Sequence, residues 1–199
     1  MEQKSFKIIN GNKKILLSAP HSVLHQRENN IRSSETRTGD IVKRVARESK
    51  SFGIYKIKPE FNDANWDKHC NYKTKVKEIV NKEKIKALID FHGMAVHREQ
   101  DICIGINNGQ NIFGYNDIVK EMISIFKKYR FNNVTIDEPF NAKYEYCVSS
   151  YIAKECRIPT FQIEINLKYR SSIYNEYEKY NKLISALIEI ITLIDNKIN

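Results

Sequence analysis

The sequence predicts a three-layer α/β sandwich built on a mixed, largely parallel central sheet. Three observations carry that expectation. Strand-like and helix-like segments alternate along most of the 199 residues, the pattern of strands joined by helical crossovers. The run IKALIDFHG is apolar over most of its length and closed by glycine, as befits a strand covered on both faces. The stretch 173–197 keeps apolar residues at helical spacing, including Leu183, Ile184, Leu187, Ile188, Ile191 and Ile194, and reads as a long closing helix. The length suits one domain, residues 1–199, with a proper core.

Taken in order, FKIIN and KKILLSA read as two strands joined by a Gly-Asn turn, an opening hairpin that makes the sheet mixed. The second strand runs into Pro20-His21, so a histidine stands where strand gives way to loop. A polar loop over 22–33 follows. Ser33 or Ser34 can cap the next helix, whose face is Ile41, Val42, Val45 and Ala46. FGIYKIKP is a short strand, and 72–83 a helix with Val76, Ile79 and Val80 on one side. IKALIDFHG and DICIGIN are strands. The helix over 115–129 uses Ile118, Val119, Met122, Ile125 and Phe126. NVTI is strand-like, 145–156 helical, and PTFQIEIN the last strand.

The formal net charge is +9. Such a balance suits nucleic acid or an acidic substrate. The lysines are spread along amphipathic stretches such as 73–86, with no run of five basic residues, so a solvated surface accounts for them. Nucleic-acid binding is therefore not expected, although eleven Tyr and nine Phe are present; Tyr174, Tyr177 and Tyr180 fall at helical spacing and read as packing. Cys70, Cys103, Cys147 and Cys156 lack CxxC spacing, so free thiols in a reducing cytoplasm are expected. No apolar stretch reaches the roughly 18 residues of a membrane span, and the N-terminus has no apolar signal core. Glycine-rich phosphate loops and a Gly-x-Ser-x-Gly elbow are also absent.

The chemistry-bearing residues concentrate at strand ends, where open α/β sheets place their sites. His21 ends one apolar strand and His92 another, and Glu164 lies within FQIEIN, where a carboxylate is costly to bury unless paired or coordinating. Singly, each reads as a packing residue. Together, two imidazoles and a carboxylate on one small sheet suit a metal-dependent hydrolase. A catalytic zinc takes three protein ligands, commonly two His and a carboxylate, and leaves a position for water; a separate carboxylate moves the proton. Asp90, two residues before His92 on the same strand face, can hold the imidazole's other N–H. For the third ligand the residues leave Glu35, Asp40 and Glu28 open, and Glu35 also reads as a helix-start acid. His25, His69 and His97 read as surface, loop or pocket-rim residues.

Pro-His-Ser at 20–22, Glu-x-x-Thr-Gly at 35–39, Asp-x-His-Gly at 90–93 and Gln-x-Glu-x-Asn at 162–166 occur in that order. The set resembles the N-formylglutamate amidohydrolase family, of zinc-carboxypeptidase-like, phosphorylase/hydrolase-like fold, and is similar to poly-γ-glutamate hydrolases. The resemblance runs from about residue 15 to residue 170. It implies one zinc ion held by His21, Glu35 and His92, other divalent metals being able to occupy such a set, and Glu164 as general base and acid. It further implies substrate contacts from Asp63 and Asn65, from Arg98, and from Asn166 and Arg170, the arginine suiting a substrate carboxylate. The implied activity is hydrolysis of an amide bond in a small anionic N-acyl amino acid or a γ-glutamyl, peptide-like substrate. Two departures, Val23 after Pro-His-Ser and Asn141-Ala142-Lys143 after Pro139-Phe140, bear on the substrate more than on the metal. A basic nucleic-acid binder and a metal-binding relative without catalysis are the alternative readings.

Overall fold

Strict alternation along the central strands decides which side of the sheet carries grease and which carries chemistry. Residues 5–170 and 177–198 are described in a computed structural model. Nine strands are present among them: β1 (Phe6–Ile9), β2 (Lys13–Ala19), β3 (His25–Arg27), β4 (Asn30–Arg32), β5 (Ser51–Lys56), β6 (Ala87–Met94), β7 (Ile102–Gly105), β8 (Val134–Ile136) and β9 (Thr160–Asn166). The helices are α1 (Thr38–Ser49), α2 (Asn71–Glu83), α3 (Asn116–Lys128), α4 (Val148–Cys156) and α5 (Tyr177–Lys197). Seven strands form one sheet in the order β1-β5-β2-β6-β9-β7-β8. The centre, β5-β2-β6-β9, is parallel; β1 and β7 run antiparallel to their inner neighbours.

Odd-numbered residues of the central strands, among them Leu17, Ile89, Phe91, Ile163 and Ile165, join the larger core with α1, α3 and α5. Even-numbered Leu16 and Leu88 join the smaller core beneath α2 and α4. Because side chains alternate with period two, Asp90, His92, Gln162 and Glu164 share the face of Leu16 and Leu88. Toward the carboxyl ends of β6 and β9 the apolar cover stops, and the polar residues of that face take over.

Four expectations need correction. The opening hairpin does not form: β5 lies between β1 and β2, antiparallel to the first and parallel to the second. The Gly-Asn segment carries the chain across the start of β5 instead of folding it back. Asn12 and Lys13 both donate their amides to the Lys50 carbonyl (2.9 and 3.1 Å), and a Cβ on Gly11 would overlap the Ser51 backbone. The helix expected from Ser33 or Ser34 begins only at Thr38, after Arg37 in the left-handed region with φ 63°. The Thr38 amide and hydroxyl both donate to the Glu35 carbonyl. The 22–33 loop contains the β3–β4 ribbon. The helix expected over 145–156 is shorter, its first turn set by Cys147, whose sulfur accepts the Ser150 amide. Of the helix expected over 173–197, residues 173–176, and Tyr174 with them, lie outside the described residues; Tyr180 is buried in the core and Tyr177 exposed. Among the described residues no helix is long and apolar enough to cross a membrane.

Candidate active site

Three adjacent parallel strands deliver the site. His21 lies two residues beyond the end of β2, His92 sits near the end of β6, and the parallel register of β6 and β9 sets Glu164 beside His92. Glu35 comes from the loop before α1, tied to the histidine loop by its amide, which donates to the His21 carbonyl (2.8 Å). The delayed start of α1 is what frees Glu35: it lies outside the helix, with its carboxylate against both imidazoles.

The geometry is specific. His21 Nδ1 is 3.0 Å from Glu35 Oε1, and His92 Nδ1 is 3.2 Å from Glu35 Oε2. The outer nitrogens meet buried carboxylates: His21 Nε2 lies 2.7 Å from Asp63 Oδ1, and His92 Nε2 lies 3.0 Å from Asp90 Oδ2. A carboxylate on Nε2 keeps the proton there and leaves the Nδ1 lone pair free. Both free lone pairs and the Glu35 oxygens therefore face one point, and donor atoms of the three residues lie within 4.8 Å of one another. Two imidazoles and a carboxylate with an open side are a donor set that could hold a divalent metal ion.

The charge balance points the same way. Four carboxylates, Glu35, Asp63, Asp90 and Glu164, are gathered here at no more than partial exposure. Burial would push both imidazoles down in pKa. For His21, Glu35 and Asp63 outweigh it; for His92, Glu35 and Asp90 do so by more, leaving it well above its ordinary value. Burial would raise Glu35, but His92 and His21 hold it well below the carboxylate range. The cluster thus draws protons onto its histidines where a cation would serve. Glu164 behaves oppositely. Burial raises it to about 7, with Glu35 adding to the rise against the pull of His92. Its Oε1 accepts from Gln162 Nε2 (3.1 Å).

The site opens into a cavity of about 400 Å³ lined by all four expected core residues, His21, Glu35, His92 and Glu164, and by Asn65. Asp90 lies beneath His92, as its strand position implies. The remaining expected substrate contacts, Asp63, Arg98, Asn166 and Arg170, do not line this cavity. Asp63 is fully buried and accepts from His21, the Arg27 Nε and the Asn65 amide. Asn166 donates to the Arg98 and Gln100 carbonyls and accepts the Lys168 amide. Arg170 donates to the carbonyls of Ile165, Met94 and Thr36. Arg98 is exposed outside the cavity, over the ring of Phe140. Of the rival ligands, Glu28 is exposed at the tip of the β3–β4 ribbon and Asp40 on α1. His97 and His69 are exposed, as expected, but His25 is buried, with its ring stacked on His21 at 3.9 Å.

Several cavity residues had been given no role: Arg27, Trp66, Tyr144, Cys147 and Gln162, while Phe140 and Lys143 belong to the segment expected to bear on the substrate. Gln162 could have been found by the two-residue spacing that identified Asp90. Arg27, on a ribbon read as loop, carried no local signal.

No family model matches the sequence, and no curated protein matches it. Among solved structures, the chain is similar to gene product Atu2144 from Agrobacterium tumefaciens, at 13% identity and TM-score 0.69, over 98% of this chain and 96% of that one. It is similar to an N-formylglutamate amidohydrolase from Ralstonia eutropha JMP134, at 11% identity and TM-score 0.63, over 97% and 98%. A bacteriophage poly-gamma-glutamate hydrolase superposes at 12% identity and TM-score 0.58, over 94% and 88%. At such low identity these likenesses establish the fold: an α/β sandwich of the kind found in formylglutamate amidohydrolases and metallo-carboxypeptidases.

Proposed function

We propose that this chain is a zinc-dependent amidohydrolase that cleaves an amide bond of a small anionic N-acyl amino acid or a γ-glutamyl, peptide-like substrate. One observation carries the reading: two Nδ1 atoms and the Glu35 carboxylate converge at the cavity wall, each outer imidazole nitrogen held by a buried carboxylate, with Glu164 beside them in register. The solved neighbours whose names denote amidohydrolases and peptidases support the same class.

His21, Glu35 and His92 would hold the ion, and a bound divalent ion supplies an acidified water and polarisation of the scissile carbonyl. The chain's own residues do the rest. Asp63 and Asp90 fix the imidazole tautomers. Glu164 takes the proton of the attacking water on a carboxylate oxygen and passes it to the departing amine nitrogen. Its place in a buried strand at the cavity wall, with Gln162 donating to Oε1, holds the carboxylate in position. Trp66 and Tyr144, stacked at 4.9 Å, form an aromatic wall for the remainder of the substrate. The four unpaired thiols support a reducing compartment, which we take to be the cytoplasm.

The test has two arms. Protein purified without added metal should carry about one equivalent of zinc by elemental analysis, and a screen of N-acyl amino acids and γ-glutamyl peptides should find turnover. Glu164→Gln should retain the metal and lose activity by about 10²-fold to 10⁴-fold. Metal-free protein that takes up no divalent ion, or an active Glu164→Gln, would refute the reading.

A further inference from the structure

The hydrolase reading above leaves one question that the cavity itself answers, namely which group receives a substrate carboxylate. Arg170 and Asn166 have their donors engaged by backbone carbonyls. Among the described residues, two Arg or Lys side chains line the cavity, Arg27 and Lys143. Lys143 is exposed on a loop.

Arg27 is built into the site. Its Nε donates to Asp63 Oδ2 at 2.7 Å, and the other oxygen of that carboxylate lies against His21 Nε2 at 2.7 Å. Its guanidinium carbon lies over the Trp66 ring at 5.2 Å. Among the described residues, Nη1 and Nη2 make no hydrogen bond. Bracing Asp63 requires Nε alone, so the brace leaves the end of the fork unexplained. A cation–π contact with Trp66 and one charge-assisted hydrogen bond to Asp63 restrict the guanidinium. The two parallel N–H groups of a guanidinium so restricted match a carboxylate, at a lower ordering cost than a free lysine ammonium.

We infer that Arg27 is the carboxylate anchor of this cavity, taking a substrate carboxylate end-on through Nη1 and Nη2 while its Nε stays on Asp63. This rests on the hydrolase reading for its meaning; its measurement needs the bound metal but no turnover. A single carboxylate thereby fastens both the anchor and His21, fixing the anchor relative to the reacting centre. The preferred ligands are acyl compounds bearing a free carboxylate, in preference to their amides.

The experiment is calorimetric binding to the zinc-loaded full chain, which needs no turnover. The probes are N-acetyl-L-glutamate and its neutral diamide, measured on wild type, Arg27→Gln, Arg27→Lys and Lys143→Gln. Wild type should prefer the anion by about tenfold or more, the scale of one charge-assisted pair. Arg27→Gln, whose amide can still donate to Asp63, should reduce the preference to about twofold, with zinc content and Tm retained. Lys143→Gln should keep most of it. If Arg27→Gln loses zinc, Arg27→Lys decides, since it keeps a cation beside Asp63 without the fork: a clearly reduced preference supports the anchor, and an undiminished one overturns it. The proposal is also overturned if wild type shows no preference, if Arg27→Gln keeps it, or if Lys143→Gln alone abolishes it. Hydrolysis assayed separately on wild type reports on the enzyme reading, so the two can fail independently.

Discussion

Replacing Asp90 by Asn should weaken metal binding about tenfold to a hundredfold, the usual effect of losing a carboxylate behind a ligating histidine. In free energy that is about 1.4 to 2.7 kcal/mol. The structure explains why the near-isosteric change matters. Asp90 is fully buried, with Oδ2 3.0 Å from His92 Nε2 and with no hydrogen-bond partner for Oδ1 among the described residues. An asparagine that turns its oxygen to Nε2 buries an NH₂ where Oδ1 stood, at a cost of about 1–3 kcal/mol for an unsatisfied donor. One that turns its NH₂ to Nε2 forces the imidazole proton onto Nδ1, the nitrogen needed for the metal. Either way affinity falls. The assay is a competition titration with a chromophoric chelator, run beside Asp40→Asn, whose carboxylate is exposed on α1 and should leave affinity unchanged. An Asp90→Asn protein that binds zinc within about twofold of wild type would show that the Nε2 partner does not set the tautomer.

Further expectations follow from other parts of the molecule. Asp101 is buried, but the Lys168 ammonium and the Asn132 and Asn133 amides hold it ionised, and its pKa falls despite burial. Its stabilisation should be present above the unfolded value of about 3.9 and vanish as pH falls through the lower folded value. Asp101→Asn should therefore lower stability at pH 7, by about 1–3 kcal/mol, and converge with wild type in acid; a difference in urea midpoint that persists at low pH would contradict this. Gly93→Ala should destabilise by about 1–3 kcal/mol and impair metal binding, because its Cβ would overlap the Arg170 guanidinium and its amide donates to Glu35 Oε2; unchanged Tm and zinc content would argue otherwise. On a turned-over substrate, kcat/KM should fall as pH falls through the ionisation of Glu164, since the base must be charged. Burial raises that group to about 7 and a bound dication draws it lower, so the acid limb should lie below pH 7. A rate that is flat between about pH 5 and 8 would remove Glu164 from that role.

Much of this site was legible because it stands on strands. His92, Asp90 and Glu164 occupy long buried runs, where strand period and the cost of an unpaired carboxylate identify both the face and the anomaly. His21 was marked by the Pro-His end of β2. Glu35 was not separable from Asp40 or Glu28 by local pattern, because its role depends on a helix that starts later than its capping residues suggest. That delay comes from Arg37 in a left-handed conformation with its guanidinium over Tyr180 of α5, a contact between residues far apart in the chain. The pairing of β1 with β5 was hidden for the same reason, since a Gly-Asn turn looks alike whether it closes a hairpin or crosses a neighbour. Arg170 and Asn166 have the chemistry for carboxylate binding, but the loops they fasten are known only once folded. His25 reads as a loop histidine until the ribbon stacks it on His21.

The alternation of the central strands has a consequence for how such a protein can change over time. Along β6 and β9, cohesion and reactivity belong to interleaved but separate sets of positions. Substrate preference can drift through the even set and the loops above it while the odd set goes on holding the layer of α1, α3 and α5 in place. What the architecture cannot absorb is a one-residue insertion or deletion between Leu88 and His92, because shifting the frame would turn imidazole and carboxylate into the oily layer and aliphatic side chains into the cleft.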